Sequence, residues 1–354
     1  MFDLNKILRE NIRKLIPYSS ARDEYKDSQG ILLDANENSM GSPIDDITEN
    51  VNRYPDPQQT ELKKKISTIK GVPVESIFIG NGSDEAIDIL FRAFCDPGKD
   101  KVIVCPPTYG MYEVSAAIND VSVIKINLTT ETFQLETEKI ISAFDPNVKL
   151  IFLCCPNNPT GNGVKAADIK LLLEKFSGIV VVDEAYINFA SYKSLLAELP
   201  NYPNLVILQT LSKAWGMAGL RIGMAFASSQ IINVFNKIKP PYNINAISQQ
   251  LAGEALENIE LVNSFIKEIV SEREKLSASL KNFPFIKKVY PSEANFLLVK
   301  MDNPKRLYDF LISKQIIVRD RSKAPLCEGC LRITVGTKEE NLRLIQTLNN
   351  YEKQ

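Results

Sequence analysis

Several short segments carry side chains with the chemistry of a reaction site, and each follows an apolar run. Ser83 and Asp84 follow IFIGNG, Tyr109 follows VIVCPPT, and Asn158 sits in the stiff turn PNNPTG after LIFLCC. Asp183 and Tyr186 follow IVVV in DEAY, and Thr210, Ser212 and Lys213 follow LVILQ. Together they supply an aromatic ring, an amide, a carboxylate, a phenol, hydroxyls and an amine. The chain has no histidine, which removes Ser-His-Asp and Cys-His nucleophile systems and His-ligated metals. Near-neutral proton transfer must fall to a tuned Lys, Tyr, Cys or carboxylate, and the residue types push towards a bound cofactor.

The elements that would position these groups are legible as alternating patterns. Between residues 70 and 230 the runs ESIFIGNG, DKVIVCPP, VSVIKINL, VKLIFLCCP, GIVVVDEA, NLVILQT and RIGMAFA alternate with amphipathic stretches such as SDEAIDILFRAF and KAADIKLLLEKF. Near-continuous Val/Ile/Leu runs signal parallel strands buried on both faces by helices. In such an α/β sheet ligands bind at the carboxyl ends of the strands, where the chemical residues stand. The turn Asn81-Gly82-Ser83-Asp84 opens a helix, with Ser or Asp expected as its cap and free N–H groups able to hold a phosphate.

From about Ile244 to Phe283 a charged helical connection follows, then a strand-helix-strand-strand-helix order that reads as a smaller α+β domain. The expected boundaries are an N-terminal arm over 1–30 packing with the small domain, a large domain over 31–243, and the connection with the small domain over 244–354. The chain is 44% hydrophobic, 24% charged and 8% aromatic, with a formal charge of -1 over 354 residues. That is an ordinary globular composition with no global field to attract nucleic acid or an anionic membrane. The amino terminus reads as a short amphipathic helix without a secretory apolar core, and no run approaches the ~18 residues of a membrane span. A cytoplasmic location is expected. The six cysteines read as free thiols. Cys327 and Cys330, in CEGC, have a redox or half-zinc spacing, but no second pair or histidine completes a zinc site, and no metal is expected.

NNPTG at 157–161, DEAY at 183–186 and SKAWGMAGLRIG at 212–223 carry a resemblance to the fold-type-I pyridoxal-phosphate enzymes and, within them, the class I and II aminotransferases. The resemblance covers essentially the whole chain. It implies a large domain with a mostly parallel seven-stranded sheet covered by helices, a smaller C-terminal domain, and pyridoxal 5'-phosphate as cofactor. It further implies that Lys213 condenses with the cofactor aldehyde and later shuttles protons, and that Asp183 faces the pyridine nitrogen. Tyr186 and Asn158 would bond the ring oxygen, and Tyr109 would stack on the ring. The phosphate would take backbone donors near Ser83 and Asp84, the hydroxyls of Thr210 and Ser212, and the guanidinium of Arg221.

LLDANENSMG, VNRYPDPQQTEL and the C-terminal VRDRSK and CLRITVGT are similar to a subfamily, the histidinol-phosphate aminotransferases. That likeness implies ping-pong exchange between histidinol phosphate (giving imidazole acetol phosphate) and 2-oxoglutarate (giving glutamate), within histidine biosynthesis. It implies a homodimer with shared sites, in which Tyr54 reaches the neighbour's cofactor. Tyr18, Asn158, Arg319 and Arg332 would bind substrate, a planar guanidinium accepting carboxylate or phosphate in turn. The rival readings are an aromatic amino-acid aminotransferase, a threonine-phosphate decarboxylase and, outside catalysis, a cofactor-binding regulatory domain.

Overall fold

A computed structural model of the chain describes residues 2–17 and 51–351. Tyr18 and the LLDANENSMG segment lie outside the described residues, as does the expected boundary at residues 30 and 31.

The seven apolar runs form one seven-stranded sheet: β1 (Ile77–Asn81), β2 (Lys101–Val104), β3 (Ser122–Lys125), β4 (Val148–Cys154), β5 (Ile179–Asp183), β6 (Leu205–Thr210) and β7 (Ile222–Ala227), ordered β1-β7-β6-β5-β4-β2-β3. Strands β3, β2, β4, β5 and β6 pair in parallel. β7 runs antiparallel to both β6 and β1. The cause is connection length: the segment between β6 and β7 holds only the short turn Ala218–Leu220, and a parallel return needs a crossover of a dozen or more residues.

The inner strands β4, β5, β6 and β7 are buried on both faces, which is why their sequences run apolar without alternating, whereas the edge strand β3 is partly exposed. Ile77 and Ile79 point into one core with the helices Thr60–Lys70 and Ala166–Lys175. Phe78 points into the other, beneath the helices Ser83–Phe94 and Ser229–Ile238. The helices Ala246–Glu257 and Ile259–Leu280 then lead to a second, antiparallel sheet of β8 (Ile286–Val289), β9 (Phe296–Met301), β10 (Arg319–Asp320) and β11 (Cys330–Thr334), ordered β10-β11-β9-β8. Here alternation is clear. Leu297, Val299, Leu331 and Ile333 face a core shared with the helices Pro304–Ser313 and Lys338–Tyr351, whereas Phe296, Leu298 and Cys330 face the core of the large sheet.

The N-terminal residues correct one expectation. Leu4–Ile7 and Glu10–Lys14 are helical, but Phe2, Leu4, Ile7, Leu8 and Ile12 pack against the core beneath Ser83–Phe94, not against the small domain. The physical reason is helix capping. The Arg9 N–H donates to Ala93 O at 3.0 Å and its guanidinium to Arg92 O at 2.9 Å, satisfying carbonyls that the helix end leaves open. No helix among the described residues is long and apolar enough to cross a membrane.

Candidate active site

The carboxyl ends of β4, β5 and β6 and the amino end of the helix Ser83–Phe94 converge on one cleft. Asn158, Asp183, Tyr186, Thr210, Ser212 and Lys213 line it from the strands, and Ser83, Asp84, Tyr109 and Arg221 line it from the opposite rim. Thus ten of the eleven residues expected around the cofactor line one cleft, Tyr54 being the exception. Cys154, a buried free thiol, lines it too.

One end of the cleft is built for an anion. The helix cap is neither Ser nor Asp, as expected, but Gly82, with φ +72 and no side-chain bond to the first turn. The first-turn N–H groups are therefore left for a visitor, and the helix end is positive. A Cβ at Gly82 would lie 2.6 Å from Arg221 Nη2, and one at Gly223 would lie 2.0 Å from Ser83 N. Only glycines let the strand, the helix end and the guanidinium approach so closely. Thr210 Oγ1 donates to Ser212 Oγ at 2.9 Å, and Arg221 Nη2 stands 3.5 Å from Asp84 Oδ2. Tyr109 donates to the other Asp84 oxygen at 3.1 Å. With its carboxylate so engaged, Asp84 can offer an anion only its backbone.

The floor is acidic and dry. Asp183 is buried, its Oδ2 accepting from Tyr112 OH at 2.7 Å and its Oδ1 from Ala185 N–H at 3.1 Å. Burial raises its pKa to about 6, against the pull of those two donors. Such a carboxylate suits a cationic ring nitrogen. Lys213 stands 5.7 Å from the centre of the Tyr186 ring, its amine reached by solvent from the open cleft. Surrounding protein lowers its pKa first and the Arg332 charge adds to this, while Asp183 opposes it. The shift favours the neutral, nucleophilic amine.

The other end of the cleft is closed by the small domain. Arg332, on β11, donates through Nη1 to Asn158 Oδ1 at 2.5 Å, while Asn158 Nδ2 is 3.5 Å from the Tyr186 hydroxyl. Asn157 fixes the turn by donating to Pro107 O at 2.8 Å and Thr160 Oγ1 at 2.6 Å. Gly161 O accepts from Glu293 N–H at 2.7 Å, and Arg273 spans Phe189 O at 3.3 Å and Ala294 O at 2.8 Å. Residues 293 and 294 therefore clamp both loops that present Asn158 and Tyr186.

Two expected residues are not among those lining the cleft. Arg319 is opposite Arg332 in the strand register but exposed. Tyr54 stacks on Tyr242 at 4.4 Å in a separate groove shared with Arg53 and Gln249. Tyr112, Arg273 and Arg321 escaped the sequence reading. Tyr112 had one available signal, its place three residues after Tyr109 in TYGMY. Arg273 lies in SEREKL, which reads as any solvated helix face.

A family profile described as aminotransferase class I and II matches residues 27–348. A histidinol-phosphate aminotransferase from Cytophaga hutchinsonii is 54% identical over 350 residues, covering 99% of each chain. One from Flavobacterium johnsoniae is 51% identical over 98% of each chain. The crystal structure of the histidinol-phosphate aminotransferase from Clostridium acetobutylicum superposes with a TM-score of 0.78 at 27% identity, over 86% of this chain and 92% of that one. The donor set described above fits pyridoxal phosphate: an anion cradle for its phosphate, a buried acid for its nitrogen and an amine for its aldehyde.

Proposed function

Since the chain belongs to the class I and II aminotransferase family, in its histidinol-phosphate branch, we propose that it transfers an amino group from histidinol phosphate to 2-oxoglutarate. The observation that carries the substrate assignment is Arg332. Its guanidinium is held over Asn158 beside Lys213, and its Nε is buried without a partner. Among the described residues no carboxylate lies within ion-pair distance of it. A half-buried cation so placed calls for an anionic substrate, and its planar fork serves carboxylate and phosphate alike.

When bound, pyridoxal phosphate supplies an aldehyde for the amine and a ring that withdraws electrons from the adjacent carbon. The chain does the rest. Backbone donors of Ser83 and Asp84, with Thr210, Ser212 and Arg221, would hold the phosphate, and Asp183 would keep the ring nitrogen protonated. Asn158, Tyr186 and Tyr109 would hold the ring. Lys213 would anchor the group through its aldehyde, and its Nζ, once freed, would serve as the base for the substrate proton. Arg332 orients both substrates in turn, giving ping-pong kinetics, with Arg319 and Tyr18 assigned to the phosphate end. Six free cysteines suit a reducing cytoplasm.

The test is glutamate formation from 2-oxoglutarate with histidinol phosphate, phenylalanine or threonine phosphate as donor. Histidinol phosphate should be preferred. Preference for phenylalanine, or carbon dioxide released from threonine phosphate without glutamate, would replace this reading. Arg332→Ala should lower kcat/KM in both half-reactions by about 2–5 kcal/mol in barrier terms, as expected for a buried charged contact. A loss confined to one half-reaction would remove its dual role.

The same reading makes the enzyme a homodimer. Tyr54 is absent from the residues lining its own cleft, and exposed Ile247, Leu251, Leu261 and Phe265 lie on the two helices that follow β7 and its helix. An inactive Tyr54 variant mixed with an inactive Lys213 variant should regain activity, because each hybrid dimer has one site bearing both defects and one bearing neither. Random exchange yields about one quarter intact sites. Demonstrated subunit exchange without recovery would rule out a shared site.

A further inference from the structure

We propose that Arg321 is a third guanidinium of the substrate's anion pocket, and that it selects a phosphate dianion over a carboxylate. This rests on the substrate reading above and adds a residue to it. The argument begins with the strand register. Arg319 is the direct partner of Arg332 and Asp320 of Leu331, and the Arg321 N–H continues the ladder by donating to Cys330 O at 3.0 Å. Side chains alternate along a strand, so Arg319, Arg321 and Arg332 share one face. Leu331 and Ile333 occupy the opposite face, inside the small domain's own core. The arginine face is therefore the one turned to the large domain, where Arg332 reaches Asn158.

Arg321 is only half-exposed, and its Nε, like that of Arg332, is buried with no hydrogen-bond partner. Among the described residues it makes no ion pair. The nearest acid in sequence, Asp320, lies on the other face and accepts from Ser322 N–H at 2.8 Å. Burial, then the charges of Arg332 and Arg319, lower the Arg321 pKa; burial raises that of the Tyr186 phenol in the cleft, and the charges of Arg332 and Arg321 oppose that rise. Gathering like charges without a counterion costs free energy that an anionic ligand recovers. A carboxylate carries one charge and two oxygens, which Arg332 alone can match. A phosphate monoester near neutral pH carries up to two charges and three terminal oxygens, enough for further donors.

A merely structural role, supporting the Cys327 turn, would affect every substrate equally. The holoenzymes of wild type, Arg321→Gln and Arg321→Lys should therefore be compared on histidinol phosphate and on unphosphorylated histidinol, with inorganic phosphate as inhibitor of the histidinol reaction. Arg321→Gln should lower kcat/KM for histidinol phosphate about ten- to a hundredfold, chiefly through KM, and change histidinol by less than about twofold. The inhibition constant of phosphate should rise in parallel, and Arg321→Lys should recover part of both. Equal losses on the two donors, or unchanged phosphate inhibition, would overturn the assignment. The substrate reading fails separately: it would show as a wild type that does not prefer the phosphorylated donor, whatever Arg321→Gln does to phosphate inhibition.

Discussion

Lys213→Ala protein is expected to lose turnover by about four orders of magnitude or more while unfolding at nearly the wild-type temperature. Lys213 is the one amine lining the described cleft, so nothing replaces it as anchor or as proton carrier. Its end is open to solvent and among the described residues it makes no ion pair, so its loss should change stability by no more than about 0.5 kcal/mol. Cofactor should still bind without a covalent bond, since the cradle of Ser83, Ser212 and Arg221 is untouched. In the wild type, borohydride treatment followed by peptide mapping should place the label on Lys213. A label on another lysine, or substantial turnover by the variant, would sink the assignment.

Much of this site could be read from the sequence because it is written locally. A strand buried on both faces runs largely apolar, so polar residues gathered at or just past its end mark the sheet's edge, and Asn158, Asp183 and Lys213 stand in such groups. What stayed hidden depends on tertiary direction. The run RIGMAFA has the composition of a parallel strand, yet its short connection turns it antiparallel. IKKV, the core of β8, alternates too weakly between its lysines to announce a strand. The amphipathic N-terminus announces a helix but not which surface it covers, which is decided by the open carbonyls near Ala93. Arg321 looks like a surface charge until the register of β10 against β11 fixes its face. The glycine cap at position 82 is the instructive reversal: a Ser-Asp pair suggests a self-capped helix, whereas an uncapped end is what an anion site requires.

Asp183→Asn should keep the fold and slow proton abstraction by about three orders of magnitude, an effect visible in single-turnover rates with saturating cofactor. The carboxylate is buried, and burial holds its pKa near 6, so it is largely ionised at neutral pH but at a cost of roughly 3 kcal/mol relative to water. A protonated ring nitrogen recovers that cost; a neutral amide neither suffers it nor stabilises the cation. The same residue yields a separate signature in the cofactor-free protein. A carboxyl whose folded pKa lies above its unfolded value of 3.8 favours folding while protonated, so its contribution is full below 3.8 and is lost as the pH rises through about 6. Denaturant unfolding should therefore show wild type losing up to roughly 3 kcal/mol across that window relative to Asp183→Asn, which has no proton to lose there. Tyr112→Phe supplies the intermediate case. It removes the 2.7 Å hydrogen bond to Oδ2, pushes the carboxyl pKa further up and moves the window to higher pH, while leaving the charge available to a cation. Near-normal single-turnover rates in Asp183→Asn would remove Asp183 from the chemistry, and parallel pH–stability curves for variant and wild type would remove its buried charge from the account of the fold.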